Sequence, residues 1–204
     1  MKIFVLLVFM LILQSCQQQK SPEQSLSIKK RVFYNKDFKW EIAIPENFEE
    51  VSAAEREKKQ EMGANKLKDN YGDNVEFKGN NIFLFKNEQA NYLEALYEPF
   101  SSSDRDYSRS FKDVNKMIYE TLKNPAVSKL DSSSTLEVID GLKFYTFKIG
   151  VDYQNKTTMH WCIYSRLFDK KAFTVNIITI DTAKERILLD SWRNSKFGHN
   201  QKIN

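Results

Sequence analysis

The stretch LEVIDGLKFYTFKIGVDYQNKTTMHWCIYSRLFDKKAFTVNIITI, Leu136 to Ile180, decides the fold. Asp140-Gly141 is a strong two-residue hairpin signal, because the favoured turn needs positive φ at both positions and Asp and Gly tolerate it. It separates Leu136–Ile139 from Leu142–Val151, two runs rich in β-branched and aromatic residues. Turns at Gln154-Asn155-Lys156 and Asp169-Lys170-Lys171 set off two more runs, Thr158–Phe168 and Ala172–Ile180. Connections this short make an antiparallel meander, since parallel neighbours need long crossovers. A closing helix follows, with Thr182 and Glu185 as a capping box and Ile187, Leu188 and Trp192 facing inward.

Working back towards the N-terminus, Val32–Tyr34 and Phe38–Ile44 read as a hairpin with Phe38, Trp40 and Ile42 on one face, and Pro45 ends it. Ser52 to about Leu67 predicts a surface helix with a narrow contact stripe of Ala53, Ala54, Met62, Ala64 and Leu67, broken at Asn70-Tyr71-Gly72-Asp73-Asn74. Asn81–Phe85 and Tyr92–Tyr97 make a second strand pair. Pro99 and Ser101–Arg109 form the longest loop. Phe111, Val114, Ile118 and Leu122 then recur at helical spacing over Ser110–Leu122, with Ser110 and Asp113 as the cap and Asn124-Pro125 as the stop. The sum is an α+β domain: a curved antiparallel sheet of about six to eight strands backed by two or three helices.

The leader has a different character. Met1-Lys2 precedes an apolar run, Ile3–Leu13, too short to cross a bilayer at about twenty residues but of signal-peptide length. Leu13-Gln14-Ser15-Cys16 resembles the bacterial lipobox, although Gln14 departs from the small or β-branched residue commoner there. The resemblance implies that residues 1–15 are a lipoprotein signal peptide and that Cys16 becomes the first mature residue, carrying lipid. Several acyl chains at about 0.8 kcal/mol per buried methylene would then make a lasting membrane anchor. Gln17 follows in place of the aspartate that retains lipoproteins in the inner membrane of enteric bacteria, and no acidic cluster succeeds it. By that analogy the protein is expected in the envelope of a Gram-negative bacterium, on the outer membrane facing the periplasm. Residues 16–30, the acylated cysteine and a Gln/Ser/Lys-rich segment, read as a flexible tether reaching at most about 50 Å. Residues 31–204 read as one domain, and the three basic residues Lys29, Lys30 and Arg31 are too few to require contact with anionic lipid.

Composition narrows the function classes. Removing residues 1–15 takes away one lysine, leaving 30 basic against 27 acidic residues, spread in both signs along the chain. That is not the basic stripe of a nucleic-acid binder, and no nucleic-acid partner is expected. With Cys16 acylated, Cys162 has no intramolecular partner, and its strand context predicts a buried, inert thiol.

The run "FKWEIAIPENF" (Phe38–Phe48), a helix, paired strands, a middle helix, "VIDGLKFYTFKIGV" (Val138–Val151), two long strands and a terminal helix together resemble the PsbP-like fold. The resemblance spans roughly residues 32–197. It implies a curved antiparallel sheet backed by helices, in a family whose members mostly bind or help assemble other proteins, and it transfers no functional residue.

Few residues of the chain fall into patterns that carry chemistry. Six scattered glycines make no phosphate-cradling loop, so neither nucleotide nor cofactor is expected. His160 and Cys162, on one strand face with Tyr164 and Arg166, stand about 6–7 Å apart by strand geometry, too far for a cysteine–histidine nucleophile. Nor do they complete a zinc site, and no metal is expected there. Tyr34, Phe38, Trp40, Trp161 and Tyr164 could stack on sugars if exposed, and otherwise form core. Asp104, Arg105, Asp106, Tyr107 and Arg109, in the long loop, mix charge with an aromatic as binding loops do. The expectation is a non-enzymatic, membrane-anchored module that binds an envelope protein, as an accessory, assembly or immunity-type protein. The alternative is a small-ligand or glycan binder. A hydrolase would require a carboxylate pair that sequence does not single out.

Overall fold

The computed structural model describes residues 31–71, 79–88, 90–101 and 104–198. The leader, Cys16 and the tether lie outside them, as do Gly72, Asp73 and Asn74 of the expected helix break and Ser102 and Ser103 of the expected loop. The elements run β1 (Arg31–Asn35), β2 (Trp40–Ile44), β3 (Glu49–Glu50), α1 (Ala53–Tyr71), β4 (Asn80–Asn87), β5 (Asn91–Pro99), α2 (Asp104–Leu122), β6 (Val127–Ile139), β7 (Leu142–Tyr153), β8 (Thr158–Phe168), β9 (Lys171–Thr179), α3 (Thr182–Arg193) and β10 (Lys196–Phe197). A seven-stranded sheet has the order β3-β4-β5-β9-β8-β7-β6, and a small second sheet the order β1-β2-β10. All pairings are antiparallel.

The meander forms where the turns place it. Asp140 and Gly141 both have positive φ, 47° and 79°, which lets the strands leave a two-residue turn with their natural twist. Asp140 also ties down the far end of the chain, accepting from the Phe197 backbone N–H at 2.8 Å and from Lys196 Nζ at 3.3 Å.

One face of the large sheet is closed. The small sheet and α3 cover it, sinking Trp40, Trp192, Phe144, Phe173 and Phe197 into one aromatic cluster with Leu93, Val175 and Ile177. Trp40 lies edge-on to Phe173 at 5.3 Å and to Trp192 at 6.2 Å, and parallel to Phe197 at 6.4 Å. The Arg31 guanidinium donates to the carbonyls of Pro45, Glu46 and Phe48, closing the β2–β3 turn.

The other, open face carries α2, which packs over β7 and β8 on Phe147, Ile149, Val151 and Ile163. Two expectations fail here. The segment after Asp104 is helix where a loop is predicted, because it holds no Gly or Pro and Tyr107 extends the buried stripe one turn before Phe111. Ser110 is therefore inside the helix, not its cap. Val114, expected inward, is exposed, and Asn115 takes the inward position.

The expected apolar stripe of α1 is corrected in part, the side chains of Ala64 and Leu67 lying outside the described residues. Ala53, Ala54 and Met62 face solvent, while Glu55, Arg56, Lys59 and Gln60 are half-buried. Arg56 Nη1 donates to the Val51 carbonyl at 2.6 Å, Lys86 Nζ meets Glu55 Oε1 at 2.6 Å, and Gln60 Nε2 donates to the Gly79 carbonyl. Polar side chains thus hold α1 to the β4 end of the sheet, and a hydrophobic-stripe search passes over them. In α3, Asp181 is the cap where Thr182 is expected. Its Oδ1 accepts from the N–H groups of Ala183 and Lys184 at 2.8 and 3.1 Å. Leu188 and Trp192 are fully buried, but Ile187 is exposed.

Trp192 joins α3 to both sheets, so Trp192→Ala should lower unfolding stability by about 3–5 kcal/mol, measured as a shift in urea midpoint. A loss below about 1 kcal/mol would mean that the aromatic cluster does not join these elements.

Candidate functional site at the β6 margin

The segment Ser128–Thr135 shows no hydrophobic alternation, so the sequence places the strand only at Leu136–Ile139. The structure extends β6 back to Val127, paired with β7 from Val127↔Tyr153 to Ile139↔Leu142. β6 is the last strand of the sheet, and among the described residues its outer edge pairs with nothing. Over thirteen residues it offers roughly 40 Å of backbone donors and acceptors.

Its side chains alternate between the two faces. On the closed face Glu137 reaches inward, with Oε1 at 2.6 Å from Lys148 Nζ and Oε2 at 3.8 Å from Arg193 Nη2. This ties the free strand to β7 and to the end of α3. On the open face Leu136 and Val138 stand 60% and 62% exposed. Leu136 is in register with Tyr145, whose ring packs against Tyr107 and Phe111 of α2, so an apolar surface runs from the strand edge to the helix.

Further along the open face is a depression of about 260 Å³ lined by Lys112, Asn115, Lys116 and Tyr119 of α2, Ser132 and Ser134 of β6, and Phe147 of β7. Asn115 is only 4% exposed, and neither Nδ2 nor Oδ1 has a hydrogen-bond partner in the protein. A buried unsatisfied amide costs about 1–3 kcal/mol. Asn115 is the candidate site residue that the sequence pattern does not single out. Its signal was available as the lone amide four residues from both Phe111 and Tyr119 on the inward stripe.

The residues singled out from sequence do not gather here. Of the expected binding loop, Tyr107 is core: it is 5% exposed, its hydroxyl lies 2.6 Å from Ser165 Oγ, and burial pushes its phenol pKa up. Asp106 and Arg109 face solvent from the first turns of α2, and the side chains of Asp104 and Arg105 lie outside the described residues. Trp40, Phe38 and Tyr164 are buried, leaving Tyr34 exposed and Trp161 half-buried, with the Trp161 indole N–H donating to Asn176 Oδ1 at 3.2 Å. No aromatic platform for a sugar is assembled from them.

His160 and Cys162 do not pair. His160 Nδ1 lies 2.5 Å from Glu185 Oε2, while Cys162 is buried, and burial with the nearby Glu185 carboxylate pushes its thiol up to about 11. Burial likewise raises Glu94 and Glu98 on β5. Four residues apart on a strand, they stand roughly 13 Å apart, beyond the about 5–9.5 Å that glycosidic carboxylate pairs use. Among the described residues no group of three or more His, Cys, Asp and Glu side chains could hold a metal ion, and no helix is long and apolar enough to cross a membrane.

No family model matches the chain, and no curated protein matches its sequence. Among solved structures it is similar to the solution structure of cyanobacterial PsbP (CyanoP) from Synechocystis sp. PCC 6803. That likeness has a TM-score of 0.53 at 12% identity, covering 85% of this chain and 95% of that one. The fold is PsbP-like. At this identity the likeness shows the PsbP-like architecture alone, two sheets and their helices, and transfers no site.

The Cys162 geometry gives a direct check. A rise from 9.0 to about 11 cuts the thiolate fraction at pH 8 by about a hundredfold. A disulfide-exchange reagent should therefore label Cys162 at least that much more slowly in the folded protein than in urea, measured by thiol release. Equal rates would place the thiol at the surface.

Proposed function

We propose that this chain is a lipid-anchored envelope protein, held through acylated Cys16 on the periplasmic face of the outer membrane of a Gram-negative bacterium, that binds a protein partner at the open edge of β6. The carrying observation is the thirteen-residue edge, unpaired among the described residues, with Leu136 and Val138 exposed beside it. Exposed sheet edges recruit extended segments: backbone hydrogen bonds supply affinity, and alternate side chains supply register. The partner is accordingly an extended polypeptide strand with apolar residues at alternate positions. The fold supports the reading by holding β6 rigidly against β7 while leaving its far side open. The composition supports it too, since the mixed charge of the strand, with Lys129 paired to Asp131 at 2.5 Å, favours neither nucleic acid nor a strongly charged surface.

The test is photo-crosslinking in cells from a reactive residue in place of Ser133, with Met62 on the solvent side of α1 as control. One defined protein adduct is expected at Ser133, absent at Met62 and reduced at least about tenfold by Leu136→Asp with Val138→Asp. In a Cys16→Ala background the protein should leave the membrane fraction. Identical adducts at both positions, or an adduct of this chain with itself, would contradict partner docking at β6. Retention of the Cys16→Ala form on membranes would contradict the anchor separately.

A further inference from the structure

The depression beside β6 has chemistry that strand docking does not use. It lies on the open face, between α2 and β6–β7, whereas the docking edge is the rim of the sheet. Its lining residues carry donor groups and come from two sides: Lys112 and Lys116, one helical turn apart, with Asn115 between them on α2, and Ser132 and Ser134 on β6. No carboxylate lines it, and among the described residues neither lysine is ion-paired. Opposed ammonium, amide and hydroxyl donors suit an oxyanion, and their approach from separate elements suits a tetrahedral one.

Asn115 adds a second requirement. Its Oδ1 is as buried and unpartnered as its Nδ2, so an oxyanion with no proton to donate leaves the acceptor unsatisfied. A ligand that completes the site carries a hydroxyl as well as the anion. Phe147, nearly buried at the floor, gives such a ligand an apolar surface for its carbon skeleton. The volume, about 260 Å³, falls just below the usual range for drug-sized ligands and fits a small molecule.

We propose that the depression formed by Lys112, Asn115, Lys116, Ser132 and Ser134 binds a hydroxylated phosphate ester, with the lysines and hydroxyls on the phosphate and Asn115 bridging phosphate and hydroxyl. The same chemistry occurs in a free polyol phosphate and in the headgroup of a glycerol-based phospholipid. In the first case the site is a small-molecule receptor, and in the second it lays the domain against its membrane.

The experiment uses the full chain in neutral detergent and follows the Asn115 side-chain amide and the Ser132 and Ser134 backbone amides by NMR. Probes are glycerol 3-phosphate to about 10 mM, enough to reveal affinities down to the millimolar range, and phosphatidylglycerol added to the micelles, against phosphatidylcholine. Saturable shifts of all three groups are expected with one probe and not with phosphatidylcholine. Glycerol 3-phosphate alone would assign a free ligand, and phosphatidylglycerol alone a lipid headgroup. Lys112→Gln with Lys116→Gln should weaken binding at least about tenfold without disturbing the rest of the spectrum. Asn115→Leu should abolish the response while raising the thermal midpoint, because it removes an unsatisfied buried amide. Absence of saturable shifts with both probes, or unchanged affinity in the lysine variant, would overturn the proposal.

Discussion

The indole of Trp40 is where pieces of chain distant in sequence are made to meet. Trp40 starts β2 of the small sheet, yet its ring packs against Phe173 of the large sheet, Trp192 of α3 and Phe197 of β10. A buried aromatic removes on the order of 150–250 Å² from water, and here several do so against one another. The large sheet, the small sheet and the terminal helix therefore share one buried core. Asp140 completes the closure from the other side by holding the Phe197 backbone N–H, so the Asp140-Gly141 turn sets both the β6–β7 hairpin and the end of the chain.

That cluster makes the two faces of the large sheet unequal. The closed face is covered by the small sheet and α3. The open face depends on α2 for its apolar cover and on the polar contacts of α1 near β4, and its exposed remainder falls towards β6. The strand is nonetheless held in place, because Glu137 fastens its closed-face side to Lys148 and Arg193. A supported strand with an unpaired edge, bordered by Leu136, Val138 and the Asn115 depression, is a surface positioned by the core and not consumed by it. Function on this account is located where burial stops.

The parts of the fold that were legible in the sequence are those with a local cause. Asp140-Gly141 announces its turn through φ, the alternation of Phe38, Trp40 and Ile42 announces a buried strand face, and Leu188 with Trp192 announces the inward side of α3. The misreadings share another origin. Asp104–Arg109 looks like a loop because charge and serine dominate it, yet Tyr107 has one hydroxyl partner, Ser165, and two aromatic neighbours, Phe100 and Tyr145, that make it core. The first half of β6 is polar because edge strands need little burial, so nothing periodic marks it. Of the site, sequence supplied Leu136 and Val138 as strand residues without their exposure. Asn115 is marked by spacing as a lone amide on an inward stripe, but its lack of hydrogen-bond partners is a property of three-dimensional surroundings.

The claim that function sits at the β6 margin is tested most directly by hydrogen–deuterium exchange of the full chain in native envelopes and after purification. Purified protein should show slow exchange in β8 and β9 and fast exchange at the outward amides of β6, with the Ser133–Ile139 segment gaining protection of at least about tenfold in the envelope. Equal exchange of β6 in both states, with new protection appearing on another element, would contradict it.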